Sequence, residues 1–537
     1  MANKRSRSKK PASAAKPAAP APPTPVTQST APGKVAATKA RKPAQVVTLP
    51  AQAPVFWFGY EVSWAKLVVA RVVLFGLLAL DAILQIRHAP RYGAGGFNVA
   101  QIPGLDGLGP SRGSYEIAQL ISAYLFALAA LGVATRYVLP VATAIYGWLY
   151  FTSQLDSYQH HYLMALVLGI ACFVPWQRPD GAQPATMVRT WAVRLILVQL
   201  GILYLWAAIS KMDAAWLDGR TLAGQVTGPL RGLVDSSVGI KSAARFAIFT
   251  ELALALTVWL RPAWFIALPL GLVFHTGILL SGLEIGLFAY LMLALYVLVV
   301  PDRVWIRLGE TAALRTAARM LARVGTESDV VTGIAVVGGA AAAVGIAALT
   351  HFDHAVTVAI ALALVPVAIV IARRVRGRSG GSLAGIAHVI AIVVWLVVDR
   401  ASTVAVDYYR FWGGTSRRLG DLESSEHAYR KLVEIAPGES NGHFQLGRVL
   451  LKKGAEADGL AELRLAQAEE TARARAYIAE AQYLAGKGRS AEAIEKAREA
   501  TYAEPGSKDA NDLLSSLTGT KKPATPGAAA DDDIDQP

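Results

Sequence analysis

Eleven apolar runs recur between Trp64 and Val398, and nothing else in the sequence restricts the fold as strongly. They fall at Trp64–Ile86, Tyr115–Ala134, Tyr137–Phe151, Tyr162–Trp176, Trp191–Ile209 and Phe246–Leu260. The series continues at Trp264–Leu280, Leu287–Val300, Val330–Leu349, Val356–Ile371 and Leu383–Val398. A backbone in lipid must satisfy its own hydrogen bonds, and about 20 helical residues cross the roughly 30 Å of hydrocarbon. Each run therefore predicts a spanning helix, although several fall short of that length. The composition agrees: 53% of the residues are hydrophobic and 17% charged, where a soluble domain carries about 25% charged residues. The expected fold is all-α, a polytopic transmembrane bundle of about eleven spans followed by a soluble helical domain.

The net charge of +14 looks like the footprint of a nucleic-acid binder until it is placed along the chain. Ten Lys and Arg and no acidic residue lie in the first fifty positions, among Ala, Pro, Thr and Ser that cannot bury a core. Residues 1–55 are expected to be a disordered cytoplasmic tail beside anionic lipid, with no specific nucleic acid as partner. They hold no continuous apolar stretch and are not read as a cleaved signal peptide. With the N-terminus inside, alternation leaves two arginine-rich links in the cytoplasm. One holds Arg303, Arg307, Arg315, Arg319 and Arg323, the other Arg373, Arg374, Arg376 and Arg378. An odd number of spans then puts everything after Val398 outside, on the periplasmic side of a bacterial inner membrane. The single cysteine, Cys172, excludes a disulfide or a cysteine metal cluster within one chain.

The segment after Val398 is soluble in composition and repeats. Pro437 and Pro505 stand 68 residues apart, twice the 34-residue period of a tetratricopeptide repeat. In that register Gly413, Gly447 and Ala481 take the small position of each first helix. Tyr429, Leu463 and Ala497 take the later packing position, with Ala466 and Ala500 at the following small one. Small residues there let paired helices approach, so an α-solenoid that docks a protein or peptide partner is expected. The organisation read from the chain is a tail (1–55), a first membrane domain (56–302), and a loop with three further spans (303–400). A tetratricopeptide-like domain (401–518) and an acidic tail (519–537) complete it.

Ionisable groups at span ends need a reason, since one at the bilayer centre costs at least about 2.5 kcal/mol. Three clusters stand out: Gln154 to Tyr162 with Asp156, His160 and His161, Ser210-Lys211-Met212-Asp213 at the end of the fifth run, and His275 late in the seventh. In the topology above all three sit at outer ends, which points to an outward-facing polar cavity. Lys211 could instead be an interfacial lysine reaching for water, and His275 a hydrogen-bonded contact between helices. A metal site needs three or four ligands; adjacent His160 and His161 point apart on a helix, and Asp156 and His275 are the nearest further candidates. No metal is predicted.

Taken together these segments resemble the vitamin K-dependent γ-carboxylase family, whose bacterial form is called the horizontally transferred transmembrane (HTTM) domain, from about Trp64 to Asp302. The resemblance rests on Leu155-Asp156-Ser157-Tyr158-Gln159-His160-His161-Tyr162-Leu163 and on Gln199 to Tyr204 leading into Ile209-Ser210-Lys211-Met212-Asp213-Ala214-Ala215-Trp216. It ends in Phe274-His275, Ile285 to Phe288 and Pro301-Asp302. It implies that Lys211 is the base that deprotonates a reduced, vitamin K-like quinone, with His160 in the same site. Oxygen then adds, the resulting alkoxide removes a γ-proton from a glutamate, and the carbanion captures carbon dioxide. Asp156, His161, Tyr204, Asp213, Trp216 and His275 are the further residues expected to contact quinone or substrate. Beyond Asp302 the resemblance gives way to three more spans and the repeats, where animal members carry a lumenal domain.

The expectation is thus a membrane enzyme of carboxylase-like (lyase) chemistry at the outer face, its repeats recruiting a protein or peptide. The alternatives are a non-catalytic scaffold acting through the repeats and, third, a transporter, for which no inverted hydropathy repeat is visible.

Overall fold

The computed structural model describes residues 58–93, 99–155, 159–223, 225–283, 285–312, 315 and 404–519. The basic tail, Asp156, the last three expected spans and the acidic tail beyond Gly519 lie outside them.

The first membrane domain opens on a short antiparallel pair, β1 (Glu61–Ser63) on β2 (Met187–Arg189), in register Glu61↔Arg189. Helix α1 (Trp64–Gln85) starts at Ser63, whose hydroxyl accepts from the Lys66 backbone N–H, and runs into a 3-10 turn, Ile86–Arg91. Helix α2 (Arg112–Leu131) begins in a capping box of Ser111 and Ser114 and stops at Gly132 with φ 78°. Glycine is required there twice over: the backbone is left-handed, and a Cβ would overlap the Arg71 guanidinium. That guanidinium donates to the carbonyls of Ala130 and Trp176 and so ties α1, α2 and the segment after the fourth helix together.

Next come α3 (Thr135–Phe151), α4 (Gln159–Ala171), α5 (Trp191–Ser210) and two single-turn helices, α6 (Ala214–Leu217) and α7 (Arg231–Val234). Helices α8 (Ser237–Thr257), α9 (Trp264–Leu280), α10 (Phe288–Tyr296) and α11 (Asp302–Gly309) follow. A helix thus stands at each of the first eight apolar runs. Among the described residues four are long and apolar enough to cross a membrane: Trp64–Arg91, Arg112–Leu131, Trp191–Ser210 and Arg261–Leu280. The sixth run begins as helix nine residues before its apolar stretch, because Ser236 caps Gly239 and the first turns of α8 are polar. Leu67, Phe75, Phe126, Leu163, Ile196 and Leu295 belong to the core that holds these helices together. Asp302 closes the domain on its own start, accepting from the Ser63 backbone N–H at 2.7 Å and from Lys66 Nζ at 3.2 Å.

The C-terminal segment consists of α12 (Val404–Arg418), α13 (Leu422–Ile435), α14 (Ser440–Lys453), α15 (Glu456–Ala468), α16 (Arg473–Gly486), α17 (Ser490–Ala503) and α18 (Lys508–Leu517). Each packs mainly on its neighbours in sequence. Gly413 lies against the Tyr429 ring, and Gly447 against Leu463 and the Gly459 carbonyl. Leu463, Ala466, Ala481, Ala497 and Ala500 are all fully buried. The first helix is not free of the membrane domain. Tyr408 donates to Glu116 at 2.6 Å, Arg87 pairs with Asp407 at 3.3 Å, and Arg112 covers the Trp412 ring. Aromatic residues on α12 thus dock on the end of α1 and the start of α2.

Candidate active site

Lys211 follows the last turn of α5, and its side chain folds back so that Nζ donates to the Ala207 carbonyl at 3.2 Å. A cation at a helix C-terminus is favourable, because the last carbonyls there have no intrahelical donors. Two residues on, Asp213 starts α6 by accepting from the backbone N–H groups of Ala215 and Trp216 at 2.7 and 2.9 Å. That cap fixes Trp216, whose ring lies 5.5 Å from Lys211 Nζ. The run Lys211-Met212-Asp213-Ala214-Ala215-Trp216 therefore encodes a helix end, a cation, a cap and an aromatic cover.

The ammonium group meets Glu251 of α8, with Nζ 2.8 and 3.0 Å from the two carboxylate oxygens. Glu251 is 5% and Lys211 20% exposed, so neither charge is freely solvated. Seven residues before Lys211 on the same face of α5, the Tyr204 hydroxyl lies 2.6 Å from His275 Nε2 and 3.0 Å from the Tyr296 hydroxyl. All three rings are buried, and His275 Nδ1 has no partner among the described residues.

Lys211, Glu251, Tyr204 and His275 line one cavity of about 620 Å³, and Tyr296 reaches it only through its hydrogen bond to Tyr204. The cavity's other polar wall comes from His160 and His161 at the start of α4 and from Asp81, Gln85, Arg87 and His88 at the end of α1. Although they diverge on the helix, both histidines reach the cavity. His160 sits 5.3 Å from the Phe288 ring, and His161 Nδ1 is 2.9 Å from the Tyr146 hydroxyl. Leu203, Phe274, Leu291 and Met292 make up much of the apolar lining. The space has the mixed character of a ligand site, apolar with a few convergent polar groups. Among the described residues no group of three ligands stands close enough to hold a metal ion.

Six of the residues singled out in the sequence, Lys211, His160, His161, Tyr204, Trp216 and His275, line this cavity. Asp213 does not: it is exposed, and its carboxylate is occupied as a helix cap. Sequence reasoning missed Glu251, Tyr296 and the α1 wall. Glu251 was signalled, as a carboxylate inside the apolar run Phe246–Leu260, and Asp81 likewise inside the first run. Tyr296 gave no signal, because a tyrosine near a span end is ordinary.

Residues 61–305 match the family model of the HTTM domain. No curated protein matches the chain in sequence.

Proposed function

From the match of residues 61–305 to the HTTM domain we propose that this chain is a quinone-dependent membrane enzyme related to the vitamin K-dependent carboxylases. The observation that carries the reading is the convergence of Lys211, His160, Tyr204 and His275, from α5, α4 and α9, on one cavity. The residues present fit a quinone head group: apolar walls for the ring, the Lys211–Glu251 pair for one oxygen, and an unpartnered buried nitrogen on His275 for another. When bound, a reduced quinone would supply an acidic hydroxyl and, with oxygen, the driving force for adding carbon dioxide to an acceptor.

The protein's own part is proton handling and positioning. As a neutral amine beside Glu251, Lys211 would take the hydroquinone proton and become the ammonium that the Glu251 carboxylate holds, and low water access keeps that proton local. Trp216 screens Lys211, and His160 faces the same space from α4. His161 and Tyr204 orient through hydroxyl partners, and Asp213 acts indirectly by holding Trp216. Asp156 is proposed as a further contact on the strength of the sequence motif alone.

The same reading gives the chain eleven spans in a bacterial inner membrane, with a cytoplasmic N-terminus and the C-terminal segment outside. In support, the first helix of that segment meets the end of α1 beside the cavity, so both belong to one face of the bundle. The C-terminal helices are proposed to be tetratricopeptide-like repeats that hold a protein or peptide acceptor.

The test is incorporation of labelled bicarbonate by purified protein supplied with a reduced naphthoquinone, oxygen and a peptide library. Incorporation that Lys211→Ala abolishes, with expression unchanged, is the expected result. No incorporation under any condition would overturn the enzyme reading and leave a scaffold acting through its repeats.

A further inference from the structure

The hydrogen atoms of the Tyr296–Tyr204–His275 chain can be counted. A neutral imidazole carries one N–H and each tyrosine one O–H, and Tyr204 oxygen lies between His275 Nε2 at 2.6 Å and Tyr296 oxygen at 3.0 Å. Two arrangements satisfy both contacts. In the first, Tyr296 donates to Tyr204, Tyr204 donates to Nε2, and the ring proton sits on Nδ1. In the second, Nε2–H donates to Tyr204, Tyr204 donates to Tyr296, and Nδ1 is bare.

They differ in what is left over. The first leaves a single unused group, the Nδ1–H, on a residue that lines the cavity. The second leaves two, the Nδ1 lone pair and the Tyr296 O–H, in a place where all three residues are at most 2% exposed. Each leaves one buried donor without an acceptor, but the second also leaves a buried acceptor unpaired, and each unpaired buried group is costly, so the first arrangement wins. The packing around it is fixed. Gly271, one turn before His275 on α9, lets the Tyr296 ring approach where a Cβ would overlap it.

We infer that Tyr204 and Tyr296 hold His275 as a neutral imidazole protonated on Nδ1, and that this N–H is a preset donor to a ligand oxygen. Resting on the quinone reading, the oxygen is the one on the far side of the quinone ring from the Lys211–Glu251 pair. His275 thus touches the ligand, whereas Tyr204 and Tyr296 are positioning residues that act through it. A donor fixed before the ligand arrives needs no reorganisation when negative charge develops on that oxygen.

The tautomer is read directly by nitrogen NMR of the full-length protein labelled at histidine, with His275→Gln used to assign the signal. Nδ1 protonated and Nε2 bare is the expected state, and Tyr204→Phe should abolish that preference. Binding of 2-methyl-1,4-naphthoquinone by protein in nanodiscs, followed by quenching of tryptophan fluorescence, supplies the second readout. His275→Phe and Tyr204→Phe are expected to weaken it about tenfold, and Tyr296→Phe by a smaller factor in the same direction. An Nε2-protonated ring, or a tautomer unmoved by Tyr204→Phe, would overturn the relay whatever the binding. A correct tautomer in a protein that binds no naphthoquinone would instead overturn the quinone as ligand, and with it the reading on which that part rests.

Discussion

Lys211 Nζ and Glu251 Oε1 stand 2.8 Å apart across the junction of α5 and α8, the carboxylate 5% exposed and the ammonium shielded by Trp216. Breaking a buried pair from one side strands a charge and costs about 3–5 kcal/mol, while replacing both partners by apolar groups is often neutral. Lys211→Met and Glu251→Leu alone are therefore expected to lower the unfolding temperature in detergent, and the double variant to recover most of it. Lys211→Arg separates structure from chemistry. It keeps the pair, but guanidinium does not lose its proton in proteins, so a stable, inactive enzyme is expected. Full function in Lys211→Arg would overturn the proposed proton acceptor.

The C-terminal helices offer a packing test. A Cβ on Gly447 would meet the Gly459 backbone oxygen and the Leu463 side chain at 2.9 Å, and a backbone oxygen cannot swing aside. Overpacking costs about 1–3 kcal/mol, more than the roughly 1 kcal/mol of helix propensity that Ala gains over Gly. Gly447→Ala should speed hydrogen exchange in α14 and α15 of the full-length protein. Gly486, with nothing within 4 Å of its would-be Cβ, is the control, and Gly486→Ala should be neutral or stabilising.

The same features show what could be read in advance and what could not. Trp264–Leu280 is both the apolar run and the helix, because lipid demands one continuous apolar stretch. The start of α8 was hidden because its first turns are polar, so hydropathy found only the second half. In the site, Lys211 and His275 were legible as polar groups at the ends of apolar runs. Glu251 forms the strongest contact to Lys211 but lies 40 residues away, and a pairing between two helices leaves no trace in local spacing. The docking of α12 was illegible for the same reason: Tyr408 and Glu116 are 292 residues apart, and each alone looks like part of its own helix.

The C-terminal segment should also report on pH. The Lys453 ammonium donates to Glu426 at 2.6 Å and holds its carboxyl below the ordinary value of 4.5. A depressed carboxyl contributes stability that is complete above its unfolded pKa and lost as pH falls through the folded one. The C-terminal helices should thus hold this contribution at neutral pH and shed it below about pH 4.5. Glu426→Gln should lower the melting temperature at pH 7 while flattening the acid limb. An acid limb unchanged by Glu426→Gln would mean that other carboxylates dominate it.

Topology is open to direct measurement. A phosphatase fused after Pro537 is expected to be active and one fused near Arg319 inactive, since the arginine-rich loops belong inside. The opposite pattern would put the cavity on the cytoplasmic side.

The last prediction concerns how the C-terminal helices sit on the cavity wall. Tyr408 gives its hydroxyl to Glu116 at 2.6 Å with both residues buried, and the next residues on α12 meet Arg87, His88 and Arg112. A hydrogen bond contributes about 0.5–1.5 kcal/mol, and this one, short and buried, ties α12 to the bundle beside the Arg87–Asp407 pair. Arg87 and His88 also line the cavity, so loosening α12 should loosen its rim. Tyr408→Phe keeps the ring and removes the donor. Hydrogen exchange should then quicken in α12 and in Ile86–Arg91 while α17, five helices further along, stays protected. Glu116→Gln retains an acceptor oxygen and should show a smaller change in the same segments. Unchanged exchange in α12 would mean that the Arg87–Asp407 pair and the stacked aromatics hold the helix by themselves, and that the Tyr408–Glu116 bond adds nothing.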